Sequence, residues 1–304
     1  MESAGSLIYN NKDYREVLNK HFVASRHIHQ GFFTGLEYED RIVFNGRSSL
    51  EGGQFHHSFS KVIDDFFATL FNRAQEKYLE ELLHPLGIKA DHRILDIGCG
   101  VGSNAIWLAR KYGCQVHCID LSHENIETAR RYTREEGLDH LITFECIDAA
   151  EVNYPDASFD HAFSVECFYF IDQKEKLLKK LLKLLKDDGI FAISDYVLKR
   201  RCGYFTRYLV MCQYGTFNIM QTSLYQPLVN SAGFQRCTVR DVTADTIIPG
   251  LNLFKLEDFR SVQEEYQALE GKWMGLLTTA LVKRYALPLV EEGRYGLNFF
   301  HCYK

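Results

Sequence analysis

The sequence predicts an α/β fold, a parallel sheet with helices on both faces, and three observations carry that prediction. Strand-like and helix-like segments alternate from Ile94 to about Asp195, the pattern that builds parallel sheets. The first strand runs into three glycines and then a helix, in Arg93-Ile94-Leu95-Asp96-Ile97-Gly98-Cys99-Gly100-Val101-Gly102-Ser103-Asn104. Acids follow two of the later strands, Asp120 after the second and Glu166 after the fourth, at the strand ends where open parallel sheets bind ligands.

Residues 1–60 fall outside the alternation and read as a cap or lid. A helix over Asp13 to Phe22 is followed by a segment punctuated by Gly31, Gly35, Gly46, Gly52 and Gly53, where a cover could hinge; a plain surface loop is the alternative. From Phe59 to Leu83 a helix carries Val62, Phe66, Leu70, Ala74, Tyr78 and Leu82 on one core-facing stripe, four residues apart. Pro85 and Gly87 close it.

Strands follow near 93–97, 115–119, 141–145, 159–165 and 190–195, with a helix from about Gly102 to Tyr112 and another capped by Ser122 with Glu124 in its first turn. Over 172–186, Asp172 and Glu175 read as a capping box and Leu177, Leu178, Leu181, Leu182, Leu184 and Leu185 as the buried face. The lysines at 174, 176, 179, 180, 183 and 186 then form a solvated face. After the fifth strand come an aromatic stretch from Gly203 to Val229, a strand ending Asp241-Val242-Thr243, a helical insertion from about Glu257 to Pro288, and a last strand near Asn298 to Tyr303.

Glycines at alternate positions admit positive φ and let a ligand press against the main chain, and the helix that follows aims its unpaired N–H groups at the same spot. A dinucleotide fingerprint spaces its glycines Gly-x-Gly-x-x-Gly, whereas this turn is Gly98-x-Gly100-x-Gly102 with Asp96 two places ahead. Asp120 lies about 20 residues on, the distance of a ribose-binding acid; an ordinary helix cap is its other reading.

These residues resemble motif I and the acid after strand two of the class I S-adenosylmethionine-dependent methyltransferases, over residues 93 to 243. The resemblance implies a Rossmann-like, seven-stranded, mostly parallel sheet whose terminal hairpin adds an antiparallel strand. It implies one domain over residues 61–304, with acceptor-binding insertions at about 196–230 and 244–292, under the cap of residues 1–60. S-adenosylmethionine is then the methyl donor, held by Asp96, Gly98, Cys99, Gly100, Gly102, Asp120, Leu121, Asp148, Ala149 and Ser164. In that reading Asp120 binds both ribose hydroxyls and Asp148 sits near the adenine. The Gly-Phe-Phe run, Glu166 and the late insertion resemble the branch holding sterol and geranyl diphosphate C-methyltransferases. The cap offers Gln30-Gly31-Phe32-Phe33 in place of the sterol enzymes' tyrosine- and tryptophan-containing entry motif, which points away from a sterol acceptor.

Composition narrows the acceptor. Over 304 residues, 46% apolar and 25% charged residues describe a globular protein. A net charge of −5 gives no electrostatic reason to expect nucleic acid. No apolar run approaches the ~18 residues that span a bilayer. Nine cysteines without a Cys-x-x-Cys pair, and an N-terminus lacking signal-peptide character, fit reduced thiols in the cytoplasm. A hydrophobic small molecule is the expected partner, and a homo-oligomer is an open possibility. His27 with His29, and His56 with His57, could meet a metal or a diphosphate; metal is not expected, with magnesium entering only for a diphosphate acceptor. There is no Gly-x-Ser-x-Gly elbow to suggest an acyl nucleophile.

Methyl transfer is an in-line displacement that needs alignment and exclusion of water. An alkene acceptor also needs an aromatic face for the developing cation and a base for the departing proton. Glu166 can supply the base, its other reading being a hydrogen bond to the cofactor's amino group or to a cap residue, and Tyr204, Phe205, Tyr208, Tyr214 and Phe217 the face, so C-methylation of an isoprenoid is favoured. O- or N-methylation of another metabolite, a cofactor-binding regulator without turnover, and a nicotinamide-dependent oxidoreductase are the other readings; the glycine spacing argues against the last.

Overall fold

The computed structural model describes residues 72–203, 218–247 and 287–304. The cap of residues 1–60, the start of the helix from Phe59, the aromatic run from Tyr204 to Phe217 and most of the late insertion lie outside the described residues.

The chain enters through α1 (Asn72–Leu83), whose Ala74, Tyr78 and Leu82 are fully buried on the predicted stripe. A 3-10 turn at His84–Leu86 ends it, with Gly87 at φ 55. There follow β1 (Arg93–Ile97), α2 (Ser103–Tyr112), β2 (Gln115–Asp120), α3 (His123–Glu135), β3 (Ile142–Cys146), β4 (Phe159–Val165), α4 (Lys174–Leu184) and β5 (Leu185–Leu198). Beyond these lie α5 (Thr222–Ser231), β6 (Arg236–Asp241), α6 (Leu287–Glu291) and β7 (Tyr295–Tyr303).

One seven-stranded sheet runs in the order β3-β2-β1-β4-β5-β7-β6. The pairs from β3 to β5 are parallel, and β7 is antiparallel to both β5 and β6. Since β1 pairs β2 on one side and β4 on the other, strand order reverses there and a crevice opens beyond their carboxyl ends. Successive residues feed opposite faces: Ile94 joins one apolar cluster with Tyr78, Leu82 and Val116, and Leu95 joins the other with Phe159, Leu181 and Phe191. Strands buried on both faces become the apolar runs seen in the sequence.

Three expectations around α4 are corrected. The helix starts at Lys174 behind Gln173, and no side chain caps it; Asp172 instead accepts a hydrogen bond from the Asn218 side chain, and Glu175 pairs with Lys179 at 2.6 Å. Lys174 leaves the solvated face: it is 7% exposed and its ammonium donates to the carbonyls of Ile171 and Tyr169, at 2.6 and 3.4 Å. Leu185 belongs to β5, where it pairs with Phe159, so that strand begins five residues earlier than its apolar core at Ile190 suggests.

Candidate active site

The glycine turn at the end of β1 is fixed by its neighbours. The N–H groups of Gly98 and Cys99 both donate to the Ile119 carbonyl, at 2.8 and 3.1 Å, tying the turn to the end of β2. Gly98, Gly100 and Gly102 have φ of 75, 54 and 81°, a region that side-chain-bearing residues rarely adopt. A Cβ on Gly98 would lie 2.1 Å from the Cys167 sulfur, whereas one on Gly100 would project into open space. Gly102 is the N-cap of α2 and offers no side chain, so the first N–H groups of that helix face the turn. Cys99 turns its thiol into the core, and burial pushes that thiol up, leaving its main chain to line the turn.

Two acids frame this cradle. Asp120 takes the Gly100 N–H on one oxygen at 2.9 Å, and the Ser122 N–H and Asn125 side-chain amide on the other at 2.8 and 3.2 Å. It is locked in place rather than acting as the helix cap, because Ser122 fills that role with 3.3 Å to the Asn125 N–H. Burial raises its carboxyl while those donors oppose the rise. Asp96 is 1% exposed, and its Oδ2 has no hydrogen-bond partner among the described residues. Burial, then the nearby Asp120, pushes it well above the usual carboxylate range.

Leu121, beside Asp120, is 59% exposed, unusual for a leucine next to so constrained a turn. Asp148 caps a short 3-10 turn at Ala149–Glu151 by accepting the Ala150 N–H at 2.8 Å, which sets Ala149 and Asp148 beyond the end of β3. Ser164 is fully buried, and its hydroxyl donates to the Ile97 carbonyl at 3.0 Å, so it holds the last residue of β1 rather than facing the crevice.

Across the crevice stands Glu166. Its φ of 49° is left-handed, and its N–H donates to the Ser194 carbonyl at 2.9 Å. The Tyr78 hydroxyl donates to Glu166 Oε1 at 3.2 Å and also hydrogen-bonds the Ser194 hydroxyl. Behind the turn, Asp195 accepts the Tyr169 N–H at 3.0 Å and the Tyr225 hydroxyl; burial lifts its carboxyl to about 7. Lys174 bonds carbonyls of the same segment. The turn that carries Glu166 is thus clamped on both sides.

Tyr204, Phe205, Tyr208, Tyr214 and Phe217 lie outside the described residues, as do the histidine pairs of the cap. Among the described residues no group of three His, Cys, Asp or Glu side chains could hold a metal, and no helix is long and apolar enough to cross a membrane. Sequence reasoning missed Tyr78, Ser194, Asp195, Tyr225 and Lys174. A usable signal existed for two of them: Ser194-Asp195 interrupts an otherwise apolar run from Ile190 to Leu198.

The family described as "Methyltransferase domain" matches residues 95–193, which contain the turn and Asp120. Those residues are similar to a methyltransferase domain. The methyltransferase GfsG of Streptomyces halstedii is 32% identical over 176 residues, 57% of this chain and 63% of that protein. The chain therefore spans less than two thirds of that relative's length; other relatives include N-methyltransferases. Among solved structures, geranyl diphosphate C-methyltransferase from Streptomyces coelicolor A3(2) matches at a TM-score of 0.70 and 17% identity, over 98% of this chain and 96% of that one. The [4+2]-cyclase SpnF matches at 0.70 and 20%, over 100% and 97%. At such identities the two structures speak for the fold alone.

Proposed function

We propose that this chain is a methyltransferase that moves the methyl group of S-adenosylmethionine to a hydrophobic small molecule, favoured as the alkene carbon of an isoprenoid such as a prenyl diphosphate. The residues of the near crevice suit that donor. The buried Oδ2 of Asp96, without a hydrogen-bond partner among the described residues, needs a donor to offset its desolvation, which the ammonium of a methionine moiety provides. The open space over Gly100 admits a ligand against bare backbone, Asp120 presents a fixed carboxylate to ribose hydroxyls, and exposed Leu121 gives an apolar face for adenine, with Asp148 and Ala149 beyond it. When bound, S-adenosylmethionine supplies an electrophilic methyl group on a sulfonium.

The observation that carries the finer reading is Glu166, held at the carboxyl end of β4 by Tyr78 and Ser194. An alkene that gains a methyl group must shed a proton, and Glu166 accepts it. The geranyl diphosphate C-methyltransferase of the same fold supports that class of acceptor. Methylation of a nitrogen or oxygen is the second reading, favoured by the sarcosine/dimethylglycine and phosphoethanolamine N-methyltransferases among the relatives.

Single-turnover kinetics with methyl-labelled donor test the proposal, using geranyl diphosphate and dimethylglycine as probe acceptors. Labelled product from geranyl diphosphate, formed about 10²–10⁴-fold more slowly by Glu166→Gln, is the expected result for a general base. Labelled product from dimethylglycine alone, at equal rates in both proteins, would replace it with the second reading.

A further inference from the structure

We infer that Tyr78 is the positioning residue for Glu166, its hydroxyl holding the carboxylate aimed into the crevice while Ser194 holds the tyrosine. The inference rests on the reading of Glu166 as the base, and it comes from an arrangement that sequence cannot show. Tyr78 belongs to α1, Glu166 follows β4 and Ser194 lies in β5, so the other two lie 88 and 116 residues from the tyrosine.

Ser194 grips Glu166 twice. Its carbonyl accepts the Glu166 N–H at 2.9 Å, fixing a backbone held at φ 49°, and its hydroxyl meets the Tyr78 hydroxyl that reaches Glu166 Oε1. A tyrosine has one proton to give. With that proton directed at the carboxylate, Ser194 must donate to the tyrosine oxygen, and the chain Ser194 to Tyr78 to Glu166 polarises toward the ionised acid. Tyr78 is well suited to the task. It is fully buried, packs edge-on against Phe299 at 5.0 Å, and burial keeps it protonated far above its ordinary range.

A donor that serves only the ionised form favours it. Among the described residues, the titratable neighbours of Glu166 include Tyr78 from α1 and Asp195 from β5. Asp195 opposes ionisation of its neighbour, and it is present in wild type and in the variants below, so its influence cancels in the comparison.

The test uses the full chain with S-adenosylhomocysteine added, its glutamates carbon-13 labelled at the side-chain carboxyl, followed by NMR across pH. The Glu166 resonance is the one lost in Glu166→Gln. In Tyr78→Phe, which keeps the ring against Phe299, the proton affinity of Glu166 should rise about tenfold. Ser194→Ala should give a smaller rise of the same sign, and it serves as the test should Tyr78→Phe fail to fold. An unchanged Glu166 titration in the folded variants would overturn the inference. The base assignment fails separately: a titration that follows Tyr78 while methyl transfer ignores Glu166→Gln would leave the coupling standing and remove Glu166 as base.

Discussion

The carboxyl edge of the sheet has two halves that are built differently. On the side of β1 to β3, the proposed donor cradle is made of short contiguous pieces: the turn at Gly98–Gly102, Asp120 with the helix it precedes, and Asp148 with the 3-10 turn it caps. On the side of β4 and β5, Glu166 is held by residues from α1 and β5, and the turn behind it by Asp195, Tyr225 and Lys174. The first half depends on backbone conformation, which a motif can encode locally. The second depends on buried polar contacts, which exist only once the sheet is assembled. The halves touch where Cys167 packs over Gly98.

That contact is where a single change should do most damage. Gly98→Ala would drive a Cβ to 2.1 Å from the Cys167 sulfur and 2.7 Å from its Cβ, at a φ of 75°. Overpacking and backbone strain together should cost roughly 2–4 kcal/mol of stability, measured by denaturant unfolding, and should move Glu166 as well. Gly100→Ala meets no atom within 4 Å, so backbone strain alone should cost it about 1 kcal/mol. Equal losses would mean that the two halves are not in contact at this point.

A second prediction concerns pH. Asp195 is buried and lifted to about 7, above its unfolded value of about 3.9. Between those values the native state binds more protons than the unfolded one, so stability falls as pH rises from about 4 to 7, at up to roughly 1 kcal/mol per unit. Buried Asp96 and Asp120 are also raised and add to the slope from the donor half. Thermal unfolding of Asp195→Asn across pH 4–8 should show a shallower fall than wild type. An identical slope would assign the effect to the donor half.

The smallest contrast lies within α4. Lys174→Met should cost about 1–3 kcal/mol by stranding the carbonyls of Ile171 and Tyr169, whereas Lys176→Ala, an exposed partner of Glu151, should change stability by no more than about 0.5 kcal/mol. Chemical denaturation of both variants checks this; equal effects would return Lys174 to the solvated face.

How much the sequence disclosed follows the same division. The strands of the parallel core, the turn at Gly98, the acid at Asp120 and the cap at Ser122 were legible because each depends on residues within a few positions of one another. Helical periodicity placed Tyr78 in the core and its burial agrees, yet the spacing that buries a ring carries no information about where its hydroxyl points. Lys174 was misplaced for a related reason: its neighbours form an amphipathic stripe, but the helix begins at Lys174 itself, so its side chain reaches back to the preceding turn. Asp172 looked like a cap because its alternative partner, Asn218, is 46 residues away. The early start of β5 depends on pairing with Phe159, which a strand's own apolar run does not reveal.

The division of labour along the sheet edge is tested most directly by calorimetric titration of S-adenosylhomocysteine into wild type, Asp120→Ala and Glu166→Gln. Asp120→Ala should weaken binding by roughly 10–100-fold, the scale of a lost hydrogen bond to a charged acceptor, while Glu166→Gln should bind as wild type does. Undiminished affinity in Asp120→Ala, or an equal loss in Glu166→Gln, would contradict the assignment of donor binding to one half and chemistry to the other.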